Sequence, residues 1–175
     1  MKRDKALLPF GGYNSLAQYQ YQRFKPFFSK VYLSAKDNKF NFDVDIIKDI
    51  YDNSSPLVAL ISIFETLKDI DEVAILSVDS PFIQPKQFEI LFNSAKKESD
   101  IIVAESPNGI EPLCAIYRRT ILPIAKEMLK DNRHRLMTIL DKSLTQKVLF
   151  QKERLFINLN YPKDYKIAKK LNIFS

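Results

Sequence analysis

Val73-Ala74-Ile75-Leu76-Ser77-Val78-Asp79-Ser80-Pro81-Phe82-Ile83 decides the fold. Its first six residues are apolar or small and carry no charge, the pattern of a strand buried on both faces, as a parallel sheet covered by helices requires. The run ends at a carboxylate. Pro81 cannot continue a central strand, so Asp79 belongs at the strand's C-terminal end, the edge where open α/β sheets bind their ligands. An acid held there on rigid backbone suits Mg2+, which takes few protein carboxylates and fills its shell with water and substrate phosphates. An aspartate after a strand also serves as a turn or helix cap, and on this stretch alone both roles stay open.

Working outward, strands and helices alternate. Ser54-Ser55-Pro56-Leu57 opens a helix, with serine as cap, proline at the first helical position, and Leu57, Leu60, Ile61, Phe64 and Leu67 spaced for a buried face. Its exposed amides suit a base edge, ribose or phosphate. Upstream, Asn14 is placed to cap a helix running to about Phe27, on which Leu16, Tyr19, Gln20, Arg23 and Phe27 form an imperfect apolar face. Val31 to Ser34 is a short strand, and Ile46 to Asp52 is ambiguous. Downstream come a helix from Pro85 to about Lys97, a buried strand Ile101 to Ala104, a turn at Pro107-Asn108-Gly109, a strand Glu111 to Arg119, and a helix from about Ile121 to Lys130. The chain closes with a strand Leu155 to Asn158 and a helix from Lys163 to Leu171. The alternation predicts one α/β domain, residues 1–175, with helices on both faces of the sheet: a three-layer α/β/α sandwich.

Composition narrows the function. With 46% apolar and 27% charged residues over 175 positions the chain reads as a soluble globular protein, with no run long enough to span a membrane and no signal peptide at Met1-Lys2-Arg3-Asp4-Lys5. A cytoplasmic location is expected. The single cysteine, Cys114, reads as a core residue. The net charge of +6 favours anionic ligands, but the cations are spread along helices without interleaved aromatics, so phosphorylated small molecules fit better than nucleic acid. Arg133-His134-Arg135 is the densest positive cluster, read either as a solvated helix start or as a phosphate contact, with His134 at the surface. Only Gly11, Gly12 and Gly109 occur, so no glycine-rich phosphate cradle is present.

The order of motifs is more specific than any one of them. Asp4-Lys5-Ala6-Leu7-Leu8, Ser55-Pro56-Leu57, Asp79-Ser80-Pro81-Phe82, Glu111-Pro112-Leu113-Cys114-Ala115 and Asn158-Leu159-Asn160-Tyr161-Pro162 together resemble the molybdenum cofactor guanylyltransferases over nearly the whole chain. The resemblance implies a Rossmann-like nucleotidyltransferase fold with a mostly parallel sheet. It also implies a Mg2+-dependent transfer of GMP from GTP to molybdenum-bound molybdopterin, with release of pyrophosphate. By resemblance Lys5 contacts the GTP phosphates, Asp79 binds Mg2+, Asp49 or Asp52 touches the nucleotide, and Ser34 lies near the base. Asn158 and Asn160 lie on the acceptor side. Arg133, Arg135 or Arg118 hold the acceptor, being far along the chain from Lys5 and Asp49. GTP and molybdenum-molybdopterin are the implied small-molecule partners; molybdoenzymes and other cofactor-biosynthesis proteins are the protein partners it allows.

Two departures matter. Ser55 stands where the family's segment has glycine, and the family's first strand and loop, of the pattern Leu-x-Gly-Gly-x-Ser-x-Arg-Met-Gly, are matched only at their end by Met1-Lys2-Arg3. The expectation is therefore an N-terminally incomplete domain with an unfilled central strand position between the strand after Pro26 and the Asp79 strand, unstable alone and weak in binding GTP. Rival readings are a cytidylyl- or sugar-phosphate nucleotidyltransferase of the same fold, and a non-catalytic pterin-binding protein that lacks the phosphate loop.

Overall fold

The computed structural model of the chain describes residues 4–172; the family match at Met1-Lys2-Arg3 lies outside the described residues. Among the described residues there are six strands: β1 (Leu33–Ala35), β2 (Ile46–Lys48), β3 (Glu72–Leu76), β4 (Ile101–Ser106), β5 (Gly109–Arg118) and β6 (Thr145–Leu149). The helices are α1 (Leu16–Phe24), α2 (Pro56–Thr66), α3 (Pro85–Ser94), α4 (Leu122–Lys130), α5 (Leu136–Lys142) and α6 (Pro162–Asn172). The larger sheet has the order β3-β5-β4-β6. β4 and β6 are parallel, and β5 runs antiparallel to both β3 and β4, so three of its four strands point one way.

Strand alternation assigns the helices to faces. Ile101, Val103, Ala115 and Tyr117 pack with α2, α4 and α5. Ile102, Ala104, Cys114 and Ile116 pack with Phe24 of α1 and Phe88 and Leu91 of α3. The result is the expected three-layer α/β/α sandwich. No helix among the described residues is long and apolar enough to cross a membrane.

Helix starts follow local chemistry. Ser55 caps α2 by accepting from the Val58 amide, with Pro56 at the first position. Ser15 rather than Asn14 caps α1, accepting from Gln18 N, and Gln18 Oε1 accepts in return from the Asn14 amide. The expected terminal strand at Leu155 to Asn158 is absent: Glu153–Phe156 is a 3-10 turn, and the strand in that region is β6, ten residues earlier and parallel to β4. Phe150 and Phe156, both buried and in ring contact, anchor the chain as it leaves the sheet.

The Asp79 strand is less buried than its composition predicts. Residues 73–76 are only partly buried, whereas Ile101 to Ala104 of β4 are fully enclosed. The cause is topological. β1 and β2 form a separate parallel pair, so among the described residues neither β1 nor β3 has a neighbour on its second edge. Between those edges lies a mainly apolar cavity of about 640 Å³, lined by β1, β3 and the inward faces of α1, α2 and α3. Because β3 is solvent-accessible along it, the free backbone groups can be hydrated and do not carry the full cost of burial assumed for an enclosed strand.

Candidate active site

The Asp79 carboxylate lies beyond the C-terminal end of β3 and accepts at both oxygens. Ser77 Oγ donates to Oδ1 at 2.5 Å and Lys5 Nζ donates to Oδ2 at 2.7 Å. The same ammonium donates to Asn160 Oδ1 at 2.9 Å. Lys5 begins a short 3-10 turn, Lys5–Leu7, that Asp4 caps by accepting from the Ala6 amide. The segment after the Glu153–Phe156 turn closes the cluster: Leu159 N donates to the Asp79 carbonyl at 2.9 Å, and Ser80 Oγ donates to Asn158 Oδ1 at 2.6 Å. Lys5, Asp79, Asn158 and Asn160, scattered in sequence, therefore form one cluster, in which the side chains of Lys5 and Asp79 keep 30% and 18% of their surface exposed.

A second group surrounds the start of α2. Asp49, just past β2, accepts from Ser54 Oγ at 2.9 Å through one oxygen, while its other oxygen is buried without a partner. The Ser55 hydroxyl lies 3.0 Å from His134 Nδ1, and His134 Nε2 lies 2.9 Å from Asn132 Oδ1. Asn132 has a left-handed backbone, φ 55°, which asparagine tolerates better than most residues. Arg133 pairs with Asp131, and its Nε is buried without a partner; Arg135 is the exposed residue preceding α5. The Arg133-His134-Arg135 loop is thus tied to the segment that holds Asp49, although its position in the sequence suggested that the two lie apart. Among the described residues no hydrogen bond or ion pair joins that loop to the Lys5 cluster.

The remaining candidates are separate. Ser34 lies in β1 on the wall of the apolar cavity. Asp52 is exposed in a shallow hollow beside Lys126 and Lys130. Arg118 is not an acceptor site: its guanidinium donates to the carbonyls of Lys96, Lys97 and Ser99 and pairs with Glu72, at the opposite end of β3 from Asp79. Cys114 is a core residue whose thiol burial pushes up to about 12.

Sequence reasoning missed the supports of the site. Ser77 and Ser80 were visible beside Asp79, but their hydroxyl partners depend on tertiary placement. His134, expected at the surface, is half-buried because it is bonded on both ring nitrogens.

The donor set at Asp79 fits Mg2+ chemically. Among the described residues no group of three or more acids, histidines or cysteines gathers, which argues against an all-protein cage. One carboxylate at a strand end, already satisfied by a cation in the form of the Lys5 ammonium, matches an ion that shares its shell with water and phosphate.

Residues 1–148 match the family model of the MobA-like NTP transferase domain. The chain is 32% identical over 171 residues to a molybdenum cofactor guanylyltransferase of Campylobacter jejuni, covering 97% of this chain and 88% of that one. It is 28% identical over 168 residues to the enzyme of that name from Helicobacter pylori, covering 96% and 82%. Among solved structures it resembles molybdopterin-guanine dinucleotide biosynthesis protein A of Archaeoglobus fulgidus, with a TM-score of 0.82 at 18% identity over 99% of this chain and 93% of that one. It also resembles 2-C-methyl-D-erythritol 4-phosphate cytidylyltransferase of Thermus thermophilus, with a TM-score of 0.70 at 11% identity over 95% and 93%.

Proposed function

The chain belongs to the family of MobA-like NTP transferase domains, and from that premise we propose that it transfers GMP from GTP to the phosphate of molybdenum-bound molybdopterin, releasing pyrophosphate. The observation that carries the reading is the Lys5 ammonium set between Asp79 and Asn160 beyond the end of β3. A partly exposed cation and a carboxylate at one point are what a reaction between two anions needs.

In the transfer, an acceptor phosphate oxygen forms a bond to the α-phosphorus of GTP, and the bond from that phosphorus to the bridging β-oxygen breaks. The acceptor needs no general base, because the second ionisation of a phosphate monoester lies at about pH 6. The chain's task is charge neutralisation and alignment. Lys5 leaves Asp79 for the phosphates and offsets the charge developing on pyrophosphate. Asp79 would hold Mg2+, which when bound neutralises charge on the phosphates. Asn158 and Asn160 orient the acceptor, while Arg133 and Arg135, expected from their place in the sequence to hold the acceptor, supply positive contacts on the nucleotide side, because their loop is bonded through His134 to Ser55 beside Asp49. Asp49 offers its unpartnered oxygen to a nucleotide donor group near the start of α2. Asp52 and Ser34 contribute to the nucleotide side. A cytoplasmic location agrees with these substrates.

The test is incubation of the purified protein with Mg2+, molybdenum-molybdopterin and either GTP or CTP labelled at the α-phosphate. Label from GTP should appear in the dinucleotide cofactor with stoichiometric pyrophosphate. Transfer from CTP alone would reassign the nucleotide, and pterin binding with transfer from neither would make the protein a binding module.

A further inference from the structure

The segment after Asp79 is gripped from the side opposite Asn158. On α1, Arg23 donates through Nη1 to the Pro81 carbonyl at 2.6 Å and through Nη2 to the Ile83 carbonyl at 2.7 Å. One turn earlier, buried Gln20 donates to the Ser80 carbonyl at 2.9 Å and accepts from Arg23 Nη1 at 3.0 Å. Three backbone carbonyls within four residues of Asp79 thus end on two side chains of a single helix face, spaced three apart so that they point together.

Arg23 is an unusual residue in that place. It is half-buried, and among the described residues no carboxylate pairs with it. The Tyr19 ring lies 4.7 Å and the Phe24 ring 5.8 Å from its guanidinium carbon. Burial draws its pKa below the ordinary arginine value, opposed by its electrostatic interaction with Tyr19. A planar donor fork fits two carbonyls of a bent chain, whereas a lysine ammonium is a point donor. The loop also needs side-chain donors, because Pro81 has no amide hydrogen and the Ser80 amide is already committed to the Ser77 carbonyl.

We propose that Arg23, with Gln20, is the positioning residue for Asp79: by fixing the carbonyls of Ser80, Pro81 and Ile83 it sets the direction in which the carboxylate faces a metal–nucleotide complex. This rests on the reading of Asp79 as the metal carboxylate. Misplacing a reacting group by about 1 Å can cost about a hundredfold, so a loosened loop shows in metal affinity and rate before it shows in the fold.

The probe is Mn2+ in the presence of GTP, followed by electron paramagnetic resonance, with melting temperature and metal-free GTP binding recorded beside it. Arg23→Lys keeps the charge and the helix but cannot span both carbonyls; Gln20→Met loosens the same loop through Ser80 and removes one acceptor of Arg23, while the Arg23 bonds to the Pro81 and Ile83 carbonyls remain. Each should weaken Mn2+ binding by about tenfold, the lower end of the roughly 10–100-fold cost of losing a group that orients a metal ligand, while metal-free GTP binding stays unchanged. Neither should add to the loss caused by Asp79→Asn. If Asp79→Asn weakens Mn2+ binding and Arg23→Lys and Gln20→Met do not, the positioning role is wrong and the reading of Asp79 stands. If the losses simply add, Arg23 acts elsewhere and the inference is overturned. If Asp79→Asn leaves Mn2+ binding intact, the metal reading fails, and this inference with it.

Discussion

Replacing Asp79 with Asn changes charge with almost no change in shape, so its effects on fold and chemistry separate. In the native site the carboxylate accepts from Lys5 and Ser77. The ion pair is partly exposed, at 30% and 18%, and an exposed pair is worth about 0.2–1 kcal/mol after screening. A hydrogen bond to a charged group is worth about 1.5–3 kcal/mol and a neutral one about 0.5–1.5, so weakening the Ser77 contact costs about 1 kcal/mol more. The expected loss is about 1–2 kcal/mol, which for a domain of this size lowers Tm by about 2–8 °C. Catalysis should suffer more. A metal ion stabilises transition-state charge by several kcal/mol; losing about 4 kcal/mol of that lowers the rate about a thousandfold. Guanylyl transfer at matched protein concentration, with circular dichroism melts of both proteins, measures the two together. Transfer within tenfold of wild type, with the fold retained, would refute the assignment of Asp79. A collapse of the fold would refute the energetic reasoning.

Three further outcomes follow from separate parts of the molecule. Ser77 donates to Leu113 on β5 and Asp71 accepts from Arg119, so by strand alternation Ala74 and Leu76 direct their amides into the cavity beside β3; they should exchange hydrogen at least about a hundredfold faster than Val73 and Ile75, and uniform protection along β3 would contradict a free edge. Alanine at both Arg133 and Arg135 should weaken GTP binding several-fold by calorimetry, because their loop is bonded to the segment that holds Asp49; loss of molybdopterin binding alone would return the loop to the acceptor. The Cys114 thiol keeps its proton in the folded chain up to about 12 but titrates near 9 when unfolded, so its stabilising effect is complete below pH 9 and is lost as pH rises towards 12. The slope from this group is at most about 1.4 kcal/mol per pH unit. Urea titrations at pH 8 and 10 should show the fall, and Cys114→Ala should lessen the difference; an unchanged difference would refute the linkage.

The sandwich was legible because its strands carry uninterrupted apolar runs and its helices begin with recognisable caps. β6 escaped notice because Thr145-Gln146-Lys147-Val148-Leu149 is an edge strand, half polar, and its pairing with β4 is visible only in three dimensions. The false strand at Leu155 to Asn158 shows the converse error: a short apolar run can be the anchor of a turn, as Phe156 is. In the site, Lys5, Asp79, Asn158 and Asn160 were legible through their motifs. The grip of α1 was not, although Gln20 and Arg23 interrupted an otherwise apolar face, which was a signal that buried polar partners lay opposite. The link from His134 to Ser55 spans 79 positions and leaves no trace in local spacing.

The bond from Lys5 to Asn160 spans 155 positions, and this gives the site a timing. At a synthesis rate of about 5–20 residues per second, the lysine leaves the peptidyl-transferase centre about 8–30 s before its second partner is made. During that interval the half-made chain has Lys5 and soon Asp79, but nothing to hold the ammonium from the far side. The nascent protein therefore completes the cluster of Lys5, Asp79 and Asn160 only once Asn160 has been made, and a ribosome-bound fragment ending before Asn158 carries an unfinished one.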